Sequence, residues 1–254
     1  MSWLSLLTLF AALDPTVSEA TSPEEEGVSP LSELSVGVEV AVATTYVYRG
    51  EPQYTTSSVP SLQPSLWLEL PGIGPGALQL ELWSAFAMAD WDRNDAEGMA
   101  SEIDLGLFYQ AELLSDWLQL RVGFVYYVYP HADDADGEKE LMVELGLGNL
   151  PIVPRLELWT EVHPTPGVYI EPGITWEQQF GDFSFGTDLA LGASAYHGDE
   201  ATLDHATLTL SFEQGAGDLT VAFSLAYSIL LAAGRGDFLE RSLVYGAVAV
   251  RYEP

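Results

Sequence analysis

The sequence predicts an all-β fold, an antiparallel up-and-down transmembrane β-barrel of about twelve strands. Three observations predict it. Apolar and polar residues alternate with period two from Ser35 almost to the end of the chain. Most alternating runs hold nine to thirteen residues, whereas ordinary strands hold about five or six. The connections between runs alternate between long and short.

Composition sets the problem that this fold solves. The chain has 254 residues, a formal charge of -30 and 48% hydrophobic residues. Acidic disordered chains lack aromatics, but this one has 7 Trp, 12 Tyr and 10 Phe. Lys139 is its single lysine, so it lacks the cation clusters that counterion release from nucleic acid requires. With no cysteine, disulfides and thiolate metal sites are excluded. No run of eighteen apolar residues exists, so no transmembrane helix is expected.

Residues 1–20 read as an atypical signal peptide, with the apolar run Trp3 to Leu13 and small residues at Ser18 and Ala20 but no basic start. Residues 21–34, rich in Pro, Ser and Glu, read as a flexible acidic lead-in, and residues 35–254 as the barrel.

The strands follow in order. The first run sets Val36, Val38, Val40, Val42, Tyr46 and Tyr48 on one face and Glu39, Ala41, Ala43 and Arg49 on the other. The second opposes Leu62, Leu66 and Leu68 to Gln63, Trp67 and Glu69, and the third opposes Leu78, Leu80, Leu82 and Phe86 to Gln79, Glu81 and Trp83. In the fourth, Ile103, Leu105, Leu107 and Tyr109 face away from Glu102, Asp104, Phe108 and Glu112. The fifth sets Leu120, Val122, Phe124 and Tyr126 against Arg121, Tyr127 and Tyr129. The sixth and seventh set Leu141, Val143, Leu156 and Leu158 against Glu140, Glu144, Glu157, Trp159 and Glu161. The eighth opposes Ile170, Ile174 and Trp176 to Glu171 and Glu177, and the ninth Phe183, Phe185 and Leu189 to Asp188. The last three oppose Leu208, Phe212, Phe223, Leu225, Tyr227, Val248, Val250 and Tyr252 to His205, Glu213, Ser228 and Arg251.

Connections at 50–58, 90–101, 130–138, 197–204 and 231–238 are long, and those at 71–76, 113–116, 150–154, 181–182 and 214–218 are short. Long outer loops and short periplasmic turns are the outer-membrane pattern. Aromatics on the apolar face collect at two levels: Tyr46, Tyr48, Phe86, Tyr126 and Tyr227 near the outer rim, and Tyr109, Trp176, Phe183, Phe185, Phe212 and Tyr252 near the inner one. Two girdles at headgroup level are expected of a lipid-facing surface.

The opposite face carries Glu39, Glu69, Glu81, Glu102, Asp104, Glu112, Glu140, Glu144, Glu157, Glu161, Glu171, Glu177, Asp188 and Glu213, against Arg49, Arg121, Arg155, Arg241 and Arg251. A dry interior does not hold so many unpaired charges, so this face is expected to be a wet lumen. Twelve strands close at a radius of roughly 12 Å, and Trp67, Trp83, Trp159, Tyr127 and Tyr129 point inward to narrow or plug the opening.

The segment Thr45-Tyr46-Val47-Tyr48-Arg49-Gly50, followed by Pro60, Gln63, Pro64 and Ser65, resembles the TorF-like porins, in which a Tyr-aromatic-Arg-Gly segment ends the first strand and a Gln-bearing strand follows. The motif covers about twenty residues. The resemblance implies a small bacterial outer-membrane barrel with channel function, no assigned substrate, and a place for Arg49 at the outer rim bracing the first loop against lumen acids.

The expected function is passive, cation-preferring diffusion of small cationic or neutral solutes, since negative charge between low-dielectric walls favours cations. Lipid and lipopolysaccharide are the expected partners. A closed barrel that binds a ligand or a divalent cation through the acidic loops 90–97 and 131–138 is the alternative, although the EF-hand spacing is absent. A membrane-face hydrolase is less favoured, because His131 and His197 sit in loops while His163 and His205 point inward. No catalytic residue, cofactor or resident metal is expected. Glu157 and Glu161 are spaced as a glycosidase pair, but acids at alternate positions are frequent in this chain.

Overall fold

A computed structural model describes residues 34–54, 59–88, 101–130, 137–164, 166–196, 201–231 and 242–254. The expected signal peptide, almost all of the lead-in, the acidic loop 90–97, most of the loop 131–138, and His131, His197 and Arg241 lie outside them.

Wall strands form where the period-two rows run longest. They are β1 (Ser35–Ala43), β4 (Ser61–Ile73), β5 (Gly76–Ala87), β6 (Glu102–Leu113), β7 (Leu118–Val128), β8 (Lys139–Gly146), β9 (Val153–His163), β10 (Gly167–Phe180), β11 (Phe183–Tyr196), β12 (Thr202–Ala216), β13 (Leu219–Leu230) and β14 (Ser242–Tyr252). Each pairs antiparallel with its sequence neighbour in the wall, and β1 pairs with both β4 and β14, so twelve strands close into a barrel. Closure leaves no unpaired edge, which a hydrocarbon environment requires. The ladder between β1 and β14 covers only Val38–Ala43 of the first strand and is the shortest in the wall. Two tight turns begin on glycines in the left-handed region, Gly181 at φ 64° and Gly217 at φ 63°, each followed by an aspartate. That is the chemistry two-residue hairpins demand.

The rows sort as the alternation predicts. Val36, Val38, Val40 and Val42 are exposed on the outside of β1, while Glu39 and Ala41 between them are buried. Leu80, Leu82, Leu105, Leu107, Leu208, Phe223 and Leu225 continue the exposed apolar surface around the wall. In water such a surface would be prohibitive; in lipid it is the stable arrangement. The chain is therefore an outer-membrane β-barrel, and its place is the bacterial outer membrane.

The first strand departs from expectation. Its alternation runs on to Arg49 in the sequence, but the wall strand ends at Ala43. The chain then turns into the barrel, where β2 (Val47–Tyr48) and β3 (Glu51–Pro52) form a small hairpin that belongs to no part of the wall. Thr45, Tyr46, Val47, Tyr54 and Val59 are buried. A segment on the long-loop side thus fills part of the lumen.

Candidate functional site

The in-folded segment is built from side chains that need both apolar cover and a polar partner. Tyr46 packs on Trp83 and Tyr54, with ring centres 5.3 and 6.0 Å away, and donates its hydroxyl hydrogen to Glu102 Oε2 at 2.8 Å. Tyr48 reaches Glu140 Oε2 at 3.1 Å and lies edge-on to Tyr127, which donates to the same oxygen at 2.8 Å. Arg49 donates from Nη2 to Glu140 Oε2 at 2.7 Å, and its guanidinium lies over the rings of Tyr48 at 4.6 Å and Tyr169 at 4.5 Å. Burial leaves these pairs little competition from water, so each charge-assisted bond is of the stronger kind.

The apex demands glycine. Arg49 and Gly50 both have positive φ, 48° and 78°. A Cβ on Gly50 would stand 2.4 Å from Cγ of His205, on β12 across the lumen. His205 is itself fully buried, with Nε2 at 2.8 Å from the Tyr169 hydroxyl and Nδ1 at 2.9 Å from Thr207 Oγ1. It is part of the internal packing that receives the segment.

Below the segment, guanidiniums organise the acids. Arg155 binds Asp188 through Nε and Nη2 at 3.0 and 2.9 Å, Glu171 through Nη2 at 3.0 Å, and Glu157 through Nη1. Trp159 Nε1 donates to Glu157, Thr175 to Asp188 and Tyr169 to Glu171. Arg251 holds Glu39 at 3.0 Å, and Arg121 holds Glu81 at 3.3 Å while stacking 3.9 Å over Phe108. The Phe108 ring lies flat over Gly106 and Gly123, where a Cβ would meet it at 2.3 and 2.2 Å. Networks of this kind hold buried charge because every added bond offsets part of the desolvation cost.

Beneath these pairs, on the side of the short turns, lies a cavity of about 360 Å³. Trp67, Glu69, Gln79, Gln110, Glu112 and Gln119 are among the residues that line it. The lumen therefore has two unlike halves, a packed one toward the long loops and a hollow one toward the periplasm.

The acids and arginines expected on the inner face take these positions. Glu39, Glu81, Glu102, Asp104, Arg121, Glu140, Glu144, Glu157, Glu171, Asp188 and Arg251 are buried inside. Glu161, Glu177 and Glu213 are half-buried on the same face, and Glu69 and Glu112 border the cavity. Arg49 stands inside the lumen rather than at its rim. Trp83, Tyr127 and Trp159 pack within the outer half, Tyr129 donates to Glu138 at 3.0 Å, and Trp67 lies against Gly37 in the cavity.

Tyr46 and Tyr48 require correction: they are not girdle residues. Both turn into the lumen, because their hydroxyls find Glu102 and Glu140 there. Outside, Phe86, Tyr126 and Tyr227 stand toward the long-loop end. At the periplasmic end Trp176, Phe185, Phe212 and Phe183 form one contiguous patch with centroid distances from 4.9 to 6.1 Å. Tyr109 and Tyr252 share that level, and Trp117 and Phe180, which alternation does not assign because they adjoin turns, are exposed there too. Nine of the fourteen inward acids are buried, and seven of those nine bond a tyrosine or an arginine.

No family model and no curated protein matches the chain. Solved structures do. An outer membrane channel from Pseudomonas putida F1 superposes with a TM-score of 0.55 at 9% identity, over 95% of this chain and 100% of that one. LpxR from Salmonella typhimurium gives 0.52 at 9% identity, over 85% and 99% of the two chains. A bacterial polysaccharide outer membrane secretin gives 0.51 at 8%, over 86% and 98%. At such identities the shared property is the barrel.

Proposed function

We propose that the chain is a porin-like outer-membrane channel for small solutes, preferring cations, with the in-folded residues 44–54 as its constriction. The observation that carries this reading is the hollow, acid-lined periplasmic half ending at a lumen segment fastened by Arg49 to Glu140. A loop folded into a barrel narrows it without closing the wall, and carboxylates inside low-dielectric walls raise the local cation concentration. The TorF-like motif at 45–50 and the barrel shared with the Pseudomonas putida channel support the same class.

Bilayer recordings of refolded protein under a KCl gradient test it. Conductance steps with a reversal potential on the cation side support the reading. Steps that favour chloride overturn the cation preference. Absence of steps from both the native chain and Arg49→Ala overturns the channel.

The second reading is a closed barrel that binds without transporting, and the packed outer half favours it. Its mark is silence in the same recordings together with saturable ligand binding.

A further inference from the structure

The periplasmic cavity has a chemical imbalance. Its walls include six carboxylates, Glu39, Glu69, Glu81, Glu112, Glu144 and Glu253, and two guanidiniums, Arg121 and Arg251. Arg121 pairs with Glu81 and Arg251 with Glu39, so the cavity retains a surplus of negative charge.

Hydrogen-bond acceptors are in surplus as well. Glu144 Oε2, Gln79 Oε1, Gln110 Oε1 and Gln119 Oε1 are all shielded from solvent and accept no hydrogen bond among the described residues, against one such donor on the same wall, Arg121 Nε. Glu144 is only 3% exposed and Gln79 9%. Gln110 donates its amide to Glu69 at 2.5 Å, which leaves its carbonyl oxygen without a donor. A buried acceptor without a donor is costly, and four of them around one cavity define what would complete it. Trp67, laid flat on Gly37, adds an aromatic wall of the kind organic cations favour.

We propose that this cavity binds a small organic cation bearing several N–H donors, a guanidinium or a primary diamine. Charge excludes anions. Among the described residues no three acidic or histidine side chains converge closely enough to hold a metal ion, so a bare divalent cation fits less well than a donor-bearing one. The inference rests on the channel reading in taking the periplasmic mouth as the route of access.

Calorimetry on the refolded full chain in detergent provides the test, with agmatine, tetramethylammonium and calcium chloride as separate probes. Saturable agmatine binding is expected, with tetramethylammonium weaker by about tenfold or more, because it carries the charge without the donors. Glu144→Gln is expected to weaken agmatine by a similar factor. Glu177→Gln, which changes lumen charge equally but does not line the cavity, leaves it unchanged. Gln79→Leu provides a second variant should Glu144→Gln fail to fold, as judged by heat-modifiable migration.

No agmatine binding by folded native protein overturns the proposal. So does equal affinity for tetramethylammonium or calcium, or binding indifferent to both cavity variants. Equilibrium binding in detergent does not depend on conduction. A barrel that binds agmatine but passes no current therefore fails only the channel reading, and one that conducts without binding fails only this one.

Discussion

Arg49 crosses the lumen to Glu140 on β8, and the 2.7 Å bond joins the turn between β2 and β3 to the far side of the barrel. The same carboxylate oxygen accepts from Tyr48 and Tyr127. This acid therefore anchors Tyr48 and Arg49, while Glu102 anchors Tyr46.

Replacing Arg49 with alanine removes the cation and leaves Glu140 buried beside two phenols. Loss of one member of a buried pair costs about 3–5 kcal/mol, and here the cost falls on a segment distinct from the wall. Arg49→Ala is expected to lower the unfolding midpoint and raise single-channel conductance. Arg49→Lys keeps the charge but loses the planar stack on Tyr48 and Tyr169, and falls between the two.

Gly50→Ala and Gly181→Ala make a matched comparison. Both glycines have positive φ, but a Cβ on Gly181 meets nothing within 4 Å while one on Gly50 meets His205 at 2.4 Å. Gly181→Ala adds backbone strain alone, about 1–2 kcal/mol. Gly50→Ala adds displacement of the segment apex, and the expected result is faster proteolytic cleavage within 44–54 while the barrel stays folded.

Arg155 is the centre of the mid-barrel network. Arg155→Met leaves Glu157, Glu171 and Asp188 without their shared cation, and destabilisation of about 3–5 kcal/mol is expected in urea titrations of vesicle-embedded protein. Adding Asp188→Asn removes one orphaned charge and recovers part of the loss. A double variant no more stable than the single one would show that the network contributes little.

The outward face has its own test in Leu107, near the middle of β6 and 47% exposed. Leu107→Arg places a cation in hydrocarbon and is expected to cost about 2–4 kcal/mol in the same titration. Leu107→Ala costs much less, because lipid still covers the site. Equal effects would mean that this row does not face lipid.

Alternation carried most of the wall into view. Strand length, turn placement and the inward or outward direction of rows such as Val36–Val42 follow from period two, because lipid and lumen impose opposite demands on successive residues. The turn at Thr44 was hidden for the same reason. Tyr46 and Tyr48 keep the apolar phase of the strand, yet a tyrosine suits a headgroup layer or a lumen lined with carboxylates equally well. Two signals pointed inward without being decisive. Arg49-Gly50 followed by Pro52 is poor strand chemistry, and Trp83, Tyr127 and Trp159 are bulkier than a water-filled bore requires. The cavity was beyond reach, since no linear pattern reveals which glutamine oxygens are left without donors.

The wall is fastened along its shortest ladder, Val38–Ala43 against β14. Every other ladder joins neighbours in the chain, but this one must wait until both have been made. Laced most briefly, it is where the cylinder is expected to part first under heat or mechanical load. A free peptide copying Ser35–Ala43 would compete for the β14 edge bared there, much as a spare tooth jams a zip.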